Sequence, residues 1–253
     1  SPRMLHSKRS MPTAETIFLI DGSSQMYRAY HAIRDLHGPD GQPTNAIYGF
    51  VTMLRKLVAD HQPALIAAAF DVKGPTFRNS IAADYKANRP ATPDDLIAQI
   101  ALIHQACEAL GVPVLTQAGF EADDIIGTLT KAARTYGYKV AIVTGDKDFF
   151  QLVDDWVQVF NPRDPGIWYD SEGVKDKFGV APTQVVDVLA LMGDAVDNVK
   201  GVPGIGEKGA RELINEYGSL DALLNNTSRI SQKRYRTAME KYADDAHRSR
   251  ELV

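Results

Sequence analysis

Hydrophobic positions along this chain recur with two periods. Thr16 to Ile20 is a short, branched apolar run ending at Asp21, and Leu65 to Phe70 is a second run that ends at Asp71. Unbroken runs of this length predict strands buried on both faces. Between them, Asn45 to Asp60 spaces Ile47, Phe50, Val51, Leu54, Leu57 and Val58 by threes and fours, the mark of an amphipathic helix. A further helix is predicted from Thr92-Pro93-Asp94-Asp95, with Thr92 as N-cap and Pro93 in the first turn. Its stripe is Leu96, Ile100, Ile103, Cys107 and Leu110, and Gly111 is placed to end it. Val112 to Gln117 then reads as a strand, Asp123 to Tyr136 as a helix, and Lys139 to Val143 as a strand before Gly145-Asp146.

Strands alternating with helices predict an α/β fold with a mainly parallel sheet, because parallel neighbours need crossover connections. The stretch from Val72 to Pro93 breaks the alternation, being polar, basic and poor in large aliphatics, and reads as an insertion over the sheet edge. From Pro182 the chain turns mostly helical, around a Gly-rich turn at Gly201 to Gly206. The expected organisation is an α/β core over residues 11–180, a helical module over 181–253 packed closely on it, and a non-domain extension over 1–10. That extension carries Arg3, Lys8 and Arg9 with no apolar core after them, so secretion is not expected.

The longest apolar runs fall well short of the roughly 20 residues that cross a bilayer. A lone cysteine, Cys107, cannot form an internal disulfide and suits a reducing, cytoplasmic setting; its place on an apolar stripe predicts burial. The net charge of −4 runs against nucleic-acid binding until its distribution is considered. Setting aside the nine acids named next leaves +5 on the remainder.

Those acids are Asp21, Asp71, Glu121, Asp123, Asp124, Asp146, Asp148, Asp194 and Asp197, each at a strand end or helix boundary. In open α/β sheets ligands sit beyond the carboxyl ends of the strands, where Asp21, Asp71 and Asp146 arrive. Carboxylates gathered so closely repel unless a cation lies among them. All-oxygen ligands without paired His or Cys favour Mg²⁺ or Mn²⁺ over zinc. Any one cluster has a plainer explanation, since Asp is common in turns and in the first turn of helices. Asp123 and Asp124 suit that explanation, as does Asp154-Asp155 as a solvated turn. Several clusters at matching topological points do not.

Asp21-Gly-Ser-Ser, Phe70-Asp71, Glu121-Ala-Asp-Asp124, Thr144-Gly-Asp-Lys-Asp148 and Leu191-Met-Gly-Asp-Ala-Val-Asp-Asn198 resemble, in unbroken order, the motifs of the flap endonuclease superfamily in its bacterial DNA polymerase I branch. The resemblance implies a PIN-like core with a helical arch at about residues 72–93, a C-terminal helix-hairpin-helix, and two divalent ions. It assigns Asp21, Asp71, Glu121 and Asp123 to the first ion, Asp146, Asp148 and Asp194 to the second, and Asp124 and Asp197 to contacts through water. Lys86 and Arg89 would contact the reacting phosphate, Tyr85 would stack on DNA, and Arg78 would join the arch's DNA contacts. Tyr27 and Arg28, expected in the turn after the first strand, are further DNA-binding candidates. Gly204 and Gly206 resemble the hairpin whose carbonyls bind K⁺ and whose amides hold duplex phosphate, flanked by Lys200, Lys208 and Arg211. Lys200 and Gly209 depart from the family's usual proline and threonine.

The implied activity is hydrolysis of phosphodiester bonds near single-strand/duplex junctions of flapped, nicked or gapped DNA, or of an RNA primer on DNA, leaving a 5′-phosphate. The expected setting is replication and repair in the nucleoid, by a monomer, with a polymerase domain as neighbour where the chain is part of a longer protein. Two other classes compete: a silent structure-specific DNA-binding module, which the full carboxylate set opposes, and a PIN-like ribonuclease, which would not usually carry the helical hairpin.

Overall fold

Strand β1 (Thr16–Asp21) lies at the centre of a six-stranded sheet, between β2 (Leu65–Ala69) and β4 (Lys139–Val143). The order is β3-β2-β1-β4-β5-β6, where β3 is Val114–Leu115, β5 is Val157–Asn161 and β6 is Ile167–Tyr169. All neighbours are parallel except β6, which runs antiparallel to β5. The computed structural model describes residues 16–163 and 165–253, so the expected extension over 1–10 and the expected start near Met11 lie outside the described residues.

Alternation along the strands divides the core between two layers. Phe18 and Ile20 of β1, with Ala141 and Val143 of β4, pack on helices α1 (Gly22–Ala32), α2 (Asn45–His61) and α4 (Asp94–Ala109) through Phe50, Leu54, Ile103 and Cys107. Leu19, Val140 and Ile142 point the other way, toward α5 (Ala122–Thr135). This second layer continues without a break into α7 (Val185–Met192) and α8 (Glu207–Tyr217) through Val188, Leu189, Leu213 and Ile214. The remaining helices are α3 (Arg78–Ile81), α6 (Ser171–Phe178), α9 (Leu220–Leu224), α10 (Lys233–Lys241) and α11 (Ala243–Leu252). Among the described residues no helix is long and apolar enough to cross a membrane.

The expected α/β class stands, and several local expectations change. The strand expected over Val112 to Gln117 shrinks to two residues, because it is an edge strand entered through Gly111 at φ +74° and Pro113, which has no amide hydrogen to give. Pro93, not Thr92, occupies the N-cap position of α4, and the Thr92 hydroxyl instead meets the Tyr27 hydroxyl at 2.7 Å. Tyr27 and Arg28 lie on α1, not in a turn, because Asp21 caps that helix at once by accepting from the Ser24 amide at 3.0 Å. The β5–β6 hairpin had no counterpart among the expected elements. Gly166 permits its return: a Cβ there would meet the Phe160 ring at 2.5 Å.

Candidate metal centre and the segment that closes over it

The strand order reverses between β1 and β4, and in such sheets the crevice at that point is where ligands gather. Asp21 ends β1 there with 3% exposure, and its Oδ2 accepts the Thr144 hydroxyl, just past β4, at 2.8 Å. The same hydroxyl oxygen accepts from the Asp146 amide at 3.0 Å. Asp71 follows β2, donates its amide to Ser23 Oγ at 2.8 Å and accepts from the Ala122 amide at 2.7 Å, which ties it to the start of α5. Asp146 caps the turn Lys147–Leu152 by accepting from the Asp148 amide at 3.0 Å. Thr144, Ser23 and Asn161 support this edge although sequence reasoning proposed no role for them; Thr144 and Ser23 lay inside quoted motifs, and Asn161 lay in none.

Electrostatics join these carboxylates into one group. Burial raises the Asp21 carboxyl to about 6, against the hydrogen bonds from Ser24 and Thr144, and the charges of Asp146 and Asp71 raise it further. Asp148 rises to about 7 through burial and then the charges of Asp146 and Asp194; its Oδ1 is buried without a hydrogen-bond partner. Asp146 is raised by burial and by Asp197 and Asp194. Asp123 is raised well above the usual carboxylate range by desolvation, then by Asp21, Asp146 and Asp71. Its side chain still opens to water, so the neighbouring charges are the more telling cause. Among the described residues, Asp21, Asp71, Asp123, Asp146, Asp148 and Asp194 form no ion pair.

The donor set suits hard divalent cations: oxygens only, mutually repelling, one of them buried and unpartnered. The side chains stand apart from one another instead of closing on a common centre. Among the described residues no group of three or more His, Cys, Asp or Glu is already set to hold an ion. Cationic side chains of the protein also reach this edge.

Those cations arrive on the insertion between β2 and α4. Lys86 Nζ pairs with Glu121 Oε1 at 2.6 Å and lies 3.5 Å from Asp197 Oδ2, and Arg89 pairs with Asp197 Oδ1. Further hydrogen bonds hold the same contact. The Lys86 backbone amide donates to the Asp197 carbonyl at 2.9 Å, the Asn88 side chain to the Ala195 carbonyl at 2.7 Å, and the Asn198 side chain to the Asp84 carbonyl at 2.7 Å. Lys86 and Asn198 both take left-handed conformations, at φ +55° and +58°, which a lysine adopts only where its surroundings over-determine it. The expected arch is thus folded down onto the loop Asp194–Asn198.

Three expectations for this segment are corrected. Tyr85 is 5% exposed, packs with Val199 and Leu252, and donates toward Glu121 Oε2 and Asp197 Oδ2, both at 3.2 Å, so its ring is not free to stack on a base. Arg78 is no surface DNA contact. It forms a bidentate pair with Asp124 at 2.9 and 3.0 Å and donates to the Leu252 carbonyl at 2.9 Å. Asp124 is fully engaged by that pair and by the Glu121 amide at 2.9 Å, so it holds the start of α5 and is not directed at a water-mediated ion.

In the helical module, Val202 and Ile205 anchor the Gly-rich turn in the core while Gly204, at φ +89°, and Gly206 have open space around them. Gly206 caps α8, so that helix's free amides point outward beside exposed Lys208. Lys200 is exposed, with Asp84 at 4.0 Å. Arg211 is less available than expected: it pairs with Glu207 at 2.5 Å and lies over the Phe178 ring at 5.1 Å. Gly209 has a physical reason, since a Cβ there would meet the Tyr235 hydroxyl at 2.4 Å.

Residues 16–179 match the family described as 5′-3′ exonuclease, N-terminal resolvase-like domain, and residues 180–253 match 5′-3′ exonuclease, C-terminal SAM fold. The chain is similar to DNA polymerase I of Pseudomonas aeruginosa, at 46% identity over 85% of this chain and 24% of that protein. It is 39% identical to DNA polymerase I of Bacillus subtilis over 96% of this chain and 28% of that protein; the chain thus spans about a quarter of the length of these relatives. Among solved structures, a T5 5′-exonuclease with bound divalent metal ions (zinc) has the same fold, with a TM-score of 0.80 at 21% identity over 94% of this chain and 89% of that one. The catalytic core of Rad2 in complex with a DNA substrate shares the fold more distantly, at a TM-score of 0.58 and 19% identity over 91% of this chain and 73% of that one.

Proposed function

The chain belongs to the 5′-3′ exonuclease family, and on that premise we propose that it is a divalent-metal-dependent 5′ nuclease that hydrolyses phosphodiester bonds near single-strand/duplex junctions of DNA. The observation that carries this reading is the gathering of Asp21, Asp71, Asp123, Asp146, Asp148 and Asp194 at one sheet edge with no ion pair among the described residues, beneath a segment that brings Lys86 and Arg89 to the same edge. Asp21, Asp71, Glu121 and Asp123 would hold one Mg²⁺ or Mn²⁺, and Asp146, Asp148 and Asp194 a second. When bound, such ions lower the pKa of water and neutralise charge on a phosphodiester.

The chain's own groups do the rest. Lys86 and Arg89 exchange their carboxylate partners for the scissile phosphate and stabilise its developing charge. Thr144 holds Asp21 and the Asp146 backbone in fixed relation, so neither carboxylate must reorganise during the step. Gly204 and Gly206, beside the start of α8, suit close approach of duplex backbone, with K⁺ at the hairpin carbonyls and Lys208 contributing charge. The setting proposed is primer or flap removal beside DNA synthesis, in keeping with relatives named DNA polymerase I.

Incubation of a 5′-flap DNA with the protein in Mg²⁺ and in chelator, with product ends mapped, tests the reading. Mg²⁺-dependent cleavage at the junction leaving 5′-phosphate is expected. Tight flap binding without cleavage in any divalent metal would instead identify a silent binding module, and preference for an RNA flap a ribonuclease.

A further inference from the structure

On the far side of the Lys147–Leu152 turn from the arch lies a groove of about 390 Å³ between the β5–β6 hairpin and α8. The turn itself divides the two spaces. Asp148 and Phe149 face the cavity under the arch, whereas Asp146 and Lys147 face the groove. Lys147, Arg163, Lys177 and Arg211 line it around the side chain of Asn161. Among the described residues Lys147, Arg163 and Lys177 form no ion pair with any carboxylate, and of these four cations only Arg211 does, to Glu207.

The groove has a constructed base. Asn161, at 9% exposure, accepts with one oxygen from Arg28 Nη1 and from the Arg163 amide, each at 3.3 Å. It thereby ties α1 to the hairpin and holds Arg28 close enough to Arg163 that the second guanidinium disfavours the charge on the first, burial being the larger cause. Arg211 Nε is buried with no hydrogen-bond partner. Like charges held together at a cost, with a donor left unsatisfied among them, are the arrangement of an anion site.

We propose that this groove is a second phosphate-binding track, gripping backbone phosphates of the bound DNA beside the carboxylate edge, with Arg163 and Lys177 as its principal contacts and Asn161 as the residue that positions Arg28 and Arg163. The inference rests on the nuclease reading above and extends it. A strand whose scissile phosphate lies at Asp146 has this groove as its continuation; the arch lies across the Lys147–Leu152 turn from it, and Glu207 and Arg211 at the start of α8 join the groove to the Gly204–Gly206 hairpin. The ligand chemistry is a phosphate anion, and the source is the polynucleotide backbone in preference to free phosphate, because four cations spread along a groove match a chain of charges better than one.

The test compares wild type, the double variant Arg163→Ala/Lys177→Ala and the single variant Arg163→Lys by melting temperature, flap-DNA affinity in chelator across a salt series, and cleavage in Mg²⁺. Both residues are exposed, so wild-type melting is expected throughout. Loss of two phosphate contacts predicts affinity at least about ten-fold weaker for the double variant and a log–log salt slope shallower by about 1.8, with Arg163→Lys retaining most of the slope. Unchanged affinity and slope, with wild type cleaving the flap, would overturn the groove and leave the nuclease reading intact. A wild-type protein that neither binds nor cleaves the flap would instead overturn the reading itself. In a fourth arm, inorganic phosphate is added to the melts: a double variant that binds DNA like wild type yet loses stabilisation by phosphate marks a free-anion pocket and also overturns the proposal.

Discussion

Thr144 donates its hydroxyl to Asp21 Oδ2 at 2.8 Å while its oxygen accepts the Asp146 amide at 3.0 Å. One side chain thus spans the two strands between which the sheet reverses, and it favours the charged form of a carboxylate whose pKa burial raises. Thr144→Val keeps the shape and removes both bonds. The expected outcome is a rise in the Mg²⁺ concentration needed for half-maximal cleavage, with a stability loss of about 1–3 kcal/mol from the unsatisfied partners. An unchanged Mg²⁺ requirement would remove Thr144 from the site.

Asp146→Asn retains an oxygen able to cap Asp148 and removes one charge from the cluster. Cleavage should collapse while flap affinity in chelator stays equal or rises, because the acidic edge repels DNA backbone. Retained cleavage by a folded variant would refute the assignment of Asp146 to a second ion.

Arg78 and Lys86 are cations near each other in sequence, and the structure separates their roles. Arg78→Met leaves the half-buried Asp124 carboxylate without its ion-pair partner, so melting should reveal a destabilisation of about 1–3 kcal/mol. Lys86→Met should lower single-turnover cleavage at least a hundred-fold and change flap affinity only a few-fold, since its charge acts on the transition state. If Lys86→Met proved the less stable variant and Arg78→Met the less active one, the two roles would be reversed.

Gly209→Thr pushes a side chain into the Tyr235 ring, whose hydroxyl lies 2.4 Å from the would-be Cβ. Overpacking of this kind costs about 1–3 kcal/mol. Chemical denaturation of Gly209→Thr, Tyr235→Leu and the double variant should show coupling, with the double variant more stable than the sum of the singles implies. Strict additivity would mean that Tyr235 does not set the need for glycine.

His104 stacks near Phe70, at 4.5 Å between ring centres, with its Nε2 buried and unpartnered. Desolvation lowers its pKa below the ordinary 6.5, against the opposing charge of Glu108. The unfolded chain therefore takes up the proton first as pH falls. The stabilising contribution is full above about pH 6.5 and is lost as pH drops from there through the folded value. Unfolding free energies measured at pH 7.5 and 5.5 should differ less in His104→Leu than in wild type; an equal difference would exclude His104 from the acid limb.

The sequence by itself determined the parallel α/β core and the helices α2, α4 and α5, because burial on a sheet or helix imposes a short period that survives in the order of residues. It likewise placed Asp21, Asp71 and Asp146 on one edge, since they follow the ends of β1, β2 and β4. The partners of those carboxylates were decided only by tertiary structure. Tyr85 and Arg78 read as exposed, basic-segment residues, yet Val199, Leu252 and Asp124 bury them from 46 or more positions away. The β5–β6 hairpin and the convergence of Arg28 with Arg163 on Asn161 were equally invisible. A contact between α1 and a hairpin 133 residues later leaves no periodic trace in either segment, because its energy depends on distances that only the folded sheet sets.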